Sequence, residues 1–281
     1  MKRLHTFNEF INESEKLEDL NQDQLDFLRR SIFHGTWERN PDGTIDVKKD
    51  ASASRGTSVV IHYMTREIPV QFGKIDGDFF VEEYSYLTAL KGFPTEVTGS
   101  LTLNKARLIK SLEGCPSKIG WSLYLQGCSK LESVKGAPKE IGGSFDCSDC
   151  PELTSLEGSP QKVGGSVWLN NDHGLKTLEG APQEVGENFT AVVCSHLISL
   201  KGGPKKVGGE FNINHCHSLP TLEGAPQAKK IVAIACDSLP EDEVELTKDP
   251  ELFQSWLDSG LSVEDFLHKK RGTVKGKEFG F

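Results

Sequence analysis

Residues 156–177 read LEGSPQKVGGSVWLNNDHGLKT, and the leucine that opens them marks a position repeated along the chain. The same place is held by Leu90, Leu112, Val134, Leu156, Leu178, Leu200 and Leu222, always 22 residues apart. A fixed period sustained over so many units means that each unit is one turn of a stacked array, because a single unit cannot bury its own apolar residues. A degenerate further unit starts at Ile68, where IDGDFFV replaces the usual VGGSF, so the array is expected to span residues 68–240 in about eight units.

Within a unit, apolar and polar residues alternate over a few positions, as at Phe145 and Cys147 or Phe211 and Ile213, which predicts one short strand per turn. Stacked in register, equivalent residues become internal ladders. One ladder is Val97, Ile119, Ile141, Val163, Val185 and Val207; another is Phe79, Leu101, Leu123, Phe145, Val167, Phe189 and Phe211; a third is Leu131, Leu153, Leu175, Leu197 and Leu219. The glycine pairs Gly142-Gly143 and Gly164-Gly165 suit a tight turn of positive φ before the strand, and the prolines from Pro94 to Pro226 stiffen the opposite arc. The expected fold is an α/β solenoid with short parallel strands, an irregular convex side and helical caps at both ends.

The run GGSFDCSDCPELTSLEG (142–158), with Cys150 where an Asn or Cys usually stands, resembles the leucine-rich-repeat pattern over about 170 residues. More narrowly, LTSLEGSPQKVGGSV (153–167) and the lead-in LNQDQLDFL, GTW and DGTIDV resemble leucine-rich-repeat proteins encoded by tailed bacteriophages. That resemblance implies a binding or structural protein without an assigned activity. Ala106 and Asp172 depart from the recurrent cysteine, and the last unit is two residues short between Pro226 and Cys236.

A solenoid needs covered ends. Residues 14–67 are read as an N-terminal cap, with Leu17, Leu20, Leu25, Leu28 and Ile32 at helical spacing and Trp37 and residues 44–66 completing it irregularly. Residues 241–281 supply the other cap and a basic tail. There Asp249-Pro250 starts a helix that Gly260 stops, and Ser262 with Asp265 opens another. Residues 1–13 form a tail whose FNEFINES sequence suits a loosely attached helix or a processing signal cut after Glu13.

Composition narrows the function. The net charge of −9 disfavours general nucleic-acid binding, although the tail from His268 is locally basic. No run of apolar residues is long enough for a membrane helix, and the opening lacks a secretory core, so a cytoplasmic protein is expected. Seven cysteines, mostly at one repeat position, fit buried thiols better than a disulfide framework. Cys128, Cys147, Cys150, Cys194 and Cys216 are explained by that periodicity, so no zinc site is assigned. His215, Cys216 and His217 look metal-like, but on an extended segment neighbours would point to opposite sides. No nucleophile elbow, P-loop, zinc-protease helix or dinucleotide fingerprint is present, so neither catalysis nor a cofactor is expected.

The outward strand residues should line a concave binding face. Its first column is Asp78, Ser100, Ser122, Ser144, Ser166, Asn188 and Glu210; its middle column is Phe80, Thr102, Tyr124, Asp146, Trp168, Thr190 and Asn212; its third is Glu82, Asn104, Gln126, Ser148, Asn170, Val192 and Asn214. Aromatic residues dominate binding hot spots, so Phe80, Tyr124, Asp146, Trp168, Asn170 and Asn212 are the candidate site for a protein partner. The alternatives are a virion or assembly component and a carbohydrate-binding protein.

Overall fold

The computed structural model describes residues 20–50 and 56–275. FNEFINES with its cleavage point, Leu17, and the Phe-Gly-Phe end of the basic tail lie outside the described residues.

The chain winds as a solenoid of parallel strands. Each turn carries two short strands, where the alternation predicted one. The strand expected from the sequence forms a ladder in which Leu101 pairs with Leu123, Leu123 with Phe145, Phe145 with Val167, Val167 with Phe189 and Phe189 with Phe211. A second ladder joins Val97 to Ile119, Ile119 to Ile141, Ile141 to Val163, Val163 to Val185 and Val185 to Val207. In each of these strands a buried apolar residue follows a charged one that faces outward, as in Lys162–Val163 and Glu184–Val185. Bridges between Ser133 and Ser155 and between Thr177 and Ser199 add a third line of parallel contact.

The glycine pairs between the two strands serve close approach, and this corrects the positive-φ expectation. A Cβ at Gly142 would lie 2.1 Å from the carbonyl oxygen of Gly120, and one at Gly164 would lie 2.2 Å from that of Gly142. Turns therefore stack backbone on backbone here, and any side chain would wedge them apart. The positive φ falls instead on the glycine of each Leu-Glu-Gly or Leu-Lys-Gly corner, such as Gly158 at 87°. Every turn also passes through one further left-handed position, filled by Lys105, Gly127, Asp149, Asn171, Val193 and His215 in succession.

All three expected ladders are buried. Phe79, Phe145, Phe189 and Phe211 have no exposed surface, and each contributes about 2–3 kcal/mol of apolar burial. Phe189 and Phe211 stack with ring centroids 5.3 Å apart. The recurrent cysteines form a fourth line inside the coil. Each thiol donates to a carbonyl of the preceding turn: Cys128 to Leu103 at 3.1 Å, Cys194 to Leu169 at 3.0 Å and Cys216 to Ala191 at 3.1 Å.

The coil begins earlier than the repeat. Ile45–Lys49 pairs in parallel with Phe72–Ile75, and Ser58–Ile61 with Asp78–Val81, so parts of residues 44–66 are stacked strands. At the far end, Lys206–Asn212 pairs with Gln227–Val232 through a register shift between Val207 and Glu210. One of the two missing residues is absorbed there, where the glycine pair would have stood, and the other before Gln227, which pairs with Lys206 at an offset of 21 and not 22.

Helix α1 (Gln22–Ser31) starts at a capping box in which Asn21 and Gln24 exchange side-chain and backbone bonds, and it buries Phe27 and Leu28. Helix α2 (Glu241–Leu246) follows the last turn. Helix α3 (Pro250–Ser259) is capped by Asp249 and ended by Gly260 at φ 62°, as read from the sequence. Helix α4 (Val263–Lys275) begins where Ser262 accepts from the Asp265 backbone at 3.1 Å. Phe253, Trp256, Val263 and Phe266 are buried. Among the described residues no helix is long and apolar enough to cross a membrane.

Candidate binding face

Alternation along the first-described ladder turns one side chain per strand outward. Tyr124 lies between buried Leu123 and Leu125, and Trp168 between buried Val167 and Leu169. Because the strands pair in strict register, Phe80, Thr102, Tyr124, Asp146, Trp168, Thr190 and Asn212 stand side by side in one column. The structure thus brings five of the six candidate residues into one line, each of them half-buried.

Columns on either side have a different job. Ser122 accepts from the Ser144 backbone N–H at 2.9 Å, Ser144 from Ser166 at 3.1 Å, Ser166 from Asn188 at 3.3 Å and Asn188 from Glu210 at 2.8 Å. In the other column, Asn104 accepts from Gln126 at 3.0 Å, Ser148 from Asn170 at 3.2 Å and Asn170 from Val192 at 3.0 Å. These small polar residues satisfy main-chain donors of the next turn. Asn170, the sixth candidate, therefore holds the coil with its Oδ1.

Asn212 is also engaged, donating from Nδ2 to Glu210 at 2.9 Å and accepting from the Asn214 backbone at 3.1 Å. Asp146 accepts from the Ser148 backbone at 2.8 Å through Oδ1. Burial between its neighbours pushes this carboxyl above the usual range, against the lowering effect of the Ser148 hydrogen bonds. What the middle column offers to a partner is three aromatic surfaces, the outer side of one carboxylate and Thr102, the Thr190 hydroxyl being buried.

Sequence reasoning missed Trp121, which is 69% exposed. The signal was present: Gly120-Trp121 stands where the next two turns have Gly142-Gly143 and Gly164-Gly165. It also missed a corner where Tyr63, Tyr84 and Tyr86 are exposed and the Arg107 guanidinium lies 4.2 Å from the centre of the Tyr84 ring. These residues lie in the degenerate first turns, where no repeat template shows them as exceptions.

The backbone at the histidine trio is a left-handed turn, with His215 at φ 59°, and not an extended segment, and the His215 ring is 5.9 Å from that of His217, so the two share a side. His217 pairs with Asp237 at 2.8 Å, while Cys216 is buried. Among the described residues no group of three His, Cys, Asp or Glu side chains is placed to hold a metal ion. All seven cysteines are unpaired thiols. Burial pushes Cys128 up to about 12 and Cys236 up to about 11.

Asp172 occupies the cysteine position of its turn and has no exposed surface. Its Oδ1 accepts from the Cys150 backbone at 2.7 Å, and its Oδ2 is buried without a partner. Loss of solvent raises its pKa to about 8, outweighing the Cys150 bond and aided by the charges of Asp149 and Asp146. A carboxyl in this position is held protonated inside the coil at neutral pH.

The chain matches no protein-family model, no curated protein and no solved structure.

Proposed function

We propose that this chain is a non-catalytic binding module of leucine-rich-repeat type, of the kind tailed bacteriophages encode, whose middle strand column holds a protein partner. Helix α1 at one end and helices α2 to α4 at the other act as caps, keeping the apolar cross-sections of the coil from associating. The observation that carries the reading is the column itself. Phe80, Tyr124 and Trp168 project from strands whose inward faces are already filled, so packing gives no reason for aromatic residues there.

The flanking columns direct recognition to that line, because their acceptors are occupied by main-chain donors. Aromatic anchors in a partly dried setting typically cost about 2 kcal/mol or more when truncated in a protein interface. The test is affinity capture with the immobilised full chain and its Tyr124→Ala, Trp168→Ala double variant, with circular dichroism to show that both are folded. Loss of retained proteins from the double variant is the expected result; identical retention would remove the column from any binding role.

A further inference from the structure

Aromatic residues in the middle column occur on alternate strands. Phe80, Tyr124 and Trp168 are separated by Thr102 and Asp146, each one strand from its neighbours. Strands in a ladder lie about 4.7–4.9 Å apart, so the three rings recur about every 9.5 Å along the solenoid axis.

We infer that this comb holds a basic, proline-rich segment in the polyproline II conformation, laid along the axis across the strands. The inference rests on the protein-binding role of the column. A polyproline II helix has three residues per turn at a rise of about 3.1 Å, so one of its edges repeats about every 9.3 Å. Over the two intervals from Phe80 to Trp168 that edge and the comb diverge by less than about 0.5 Å. An extended β-peptide presents one face about every 6.7 Å and falls out of step at the first interval. An α-helix presents one about every 10.5 Å, two turns on, and drifts by about 2 Å over the same span. Proline rings stack on flat aromatic surfaces, and a preformed polyproline helix loses little conformational entropy on docking.

Charge settles the sign of the ligand. The three outward columns from Asp78 to Asn214 contain Asp78, Glu82, Asp146 and Glu210 and no lysine or arginine. Asp146 sits midway between Tyr124 and Trp168, its half-buried carboxylate held by the Ser148 backbone through Oδ1 and by the Ser148 side chain. An arginine or lysine placed between two stacked prolines reaches that carboxylate from the outer side.

The experiment uses the full chain and three probes followed by tryptophan fluorescence and calorimetry: a peptide of four Pro-Pro-Arg repeats, a peptide of four Gly-Gly-Arg repeats, and a β-1,4-linked glucose hexamer. The proline peptide should bind at least about tenfold more tightly than its glycine counterpart, with Trp168→Ala and Asp146→Asn each weakening it about tenfold. The exchange Thr102→Tyr with Tyr124→Thr keeps the composition but breaks the spacing, and should weaken binding as much. Equal affinity for the two peptides, indifference to the exchange, or binding of the hexamer alone would overturn the inference. If no probe binds while protein capture still depends on Tyr124 and Trp168, the polyproline assignment fails and the binding face stands. If capture is also indifferent, both fall.

Discussion

Replacing Asp172 by Asn should stabilise the chain and flatten its response to pH. The unfolded carboxyl titrates near 3.8 and the folded one near 8, because burial disfavours its charge. A folded state that holds its proton more tightly is favoured below the lower value and loses that advantage as pH rises towards the upper one. One pH unit inside the window is worth about 1.4 kcal/mol, so between pH 5 and pH 8 the ceiling on the loss is about 4 kcal/mol. Asn keeps the acceptor that serves the Cys150 backbone and supplies the donor that cysteine supplies in neighbouring turns. Urea unfolding of both proteins by circular dichroism, from pH 5 to pH 8, isolates this group, since every other titrating residue is common to the pair. The stability gap should widen steadily with pH in favour of the variant. Parallel profiles, or a variant less stable than its parent at pH 8, would refute the reasoning.

Gly164→Ala should cost about 2–3 kcal/mol, since its Cβ meets the Gly142 carbonyl at 2.2 Å, whereas alanine at Gly56, which has nothing within 4 Å, should cost far less. A comparison of thermal midpoints checks the pair, and equal midpoints would contradict backbone-on-backbone stacking. Thiol labelling at neutral pH should leave the six buried cysteines unreacted until denaturant is added, because burial removes access and, at Cys128 and Cys236, disfavours the thiolate as well. Fast labelling of Cys128 or Cys194 in the native chain would show that the inner thiol line is open.

The 22-residue period made the apolar ladders legible, because a residue such as Phe145 can be aligned with Val167 and Phe211 by counting alone. The strand over Lys162–Val163 was not legible, since the glycine pair that follows it breaks the alternation by which strands are recognised. Those glycines were visible but their purpose was ambiguous: close approach and positive φ both select glycine, and only the 2.1 Å distance from Gly142 to the neighbouring turn separates them. Of the candidate site, the column of Phe80, Tyr124, Asp146 and Trp168 followed from register. That Asn170 and the serines bind the main chain did not follow, because a side chain that serves a ligand and one that serves the next turn have the same composition.

Serine and asparagine on the flanks also separate two demands that most binding surfaces share. Fold information resides in the inward residues, the glycine pairs and the two polar columns, while in the line between them Asp146 and Asn212 share the duty by accepting from the main chain. Substitutions at Thr102, Tyr124 and Trp168 change what the surface meets without touching a ladder. The solenoid is thus suited to mutational drift and to deliberate redesign: one row accepts new side chains while the coil around it is kept, and added turns lengthen that row in steps of one strand.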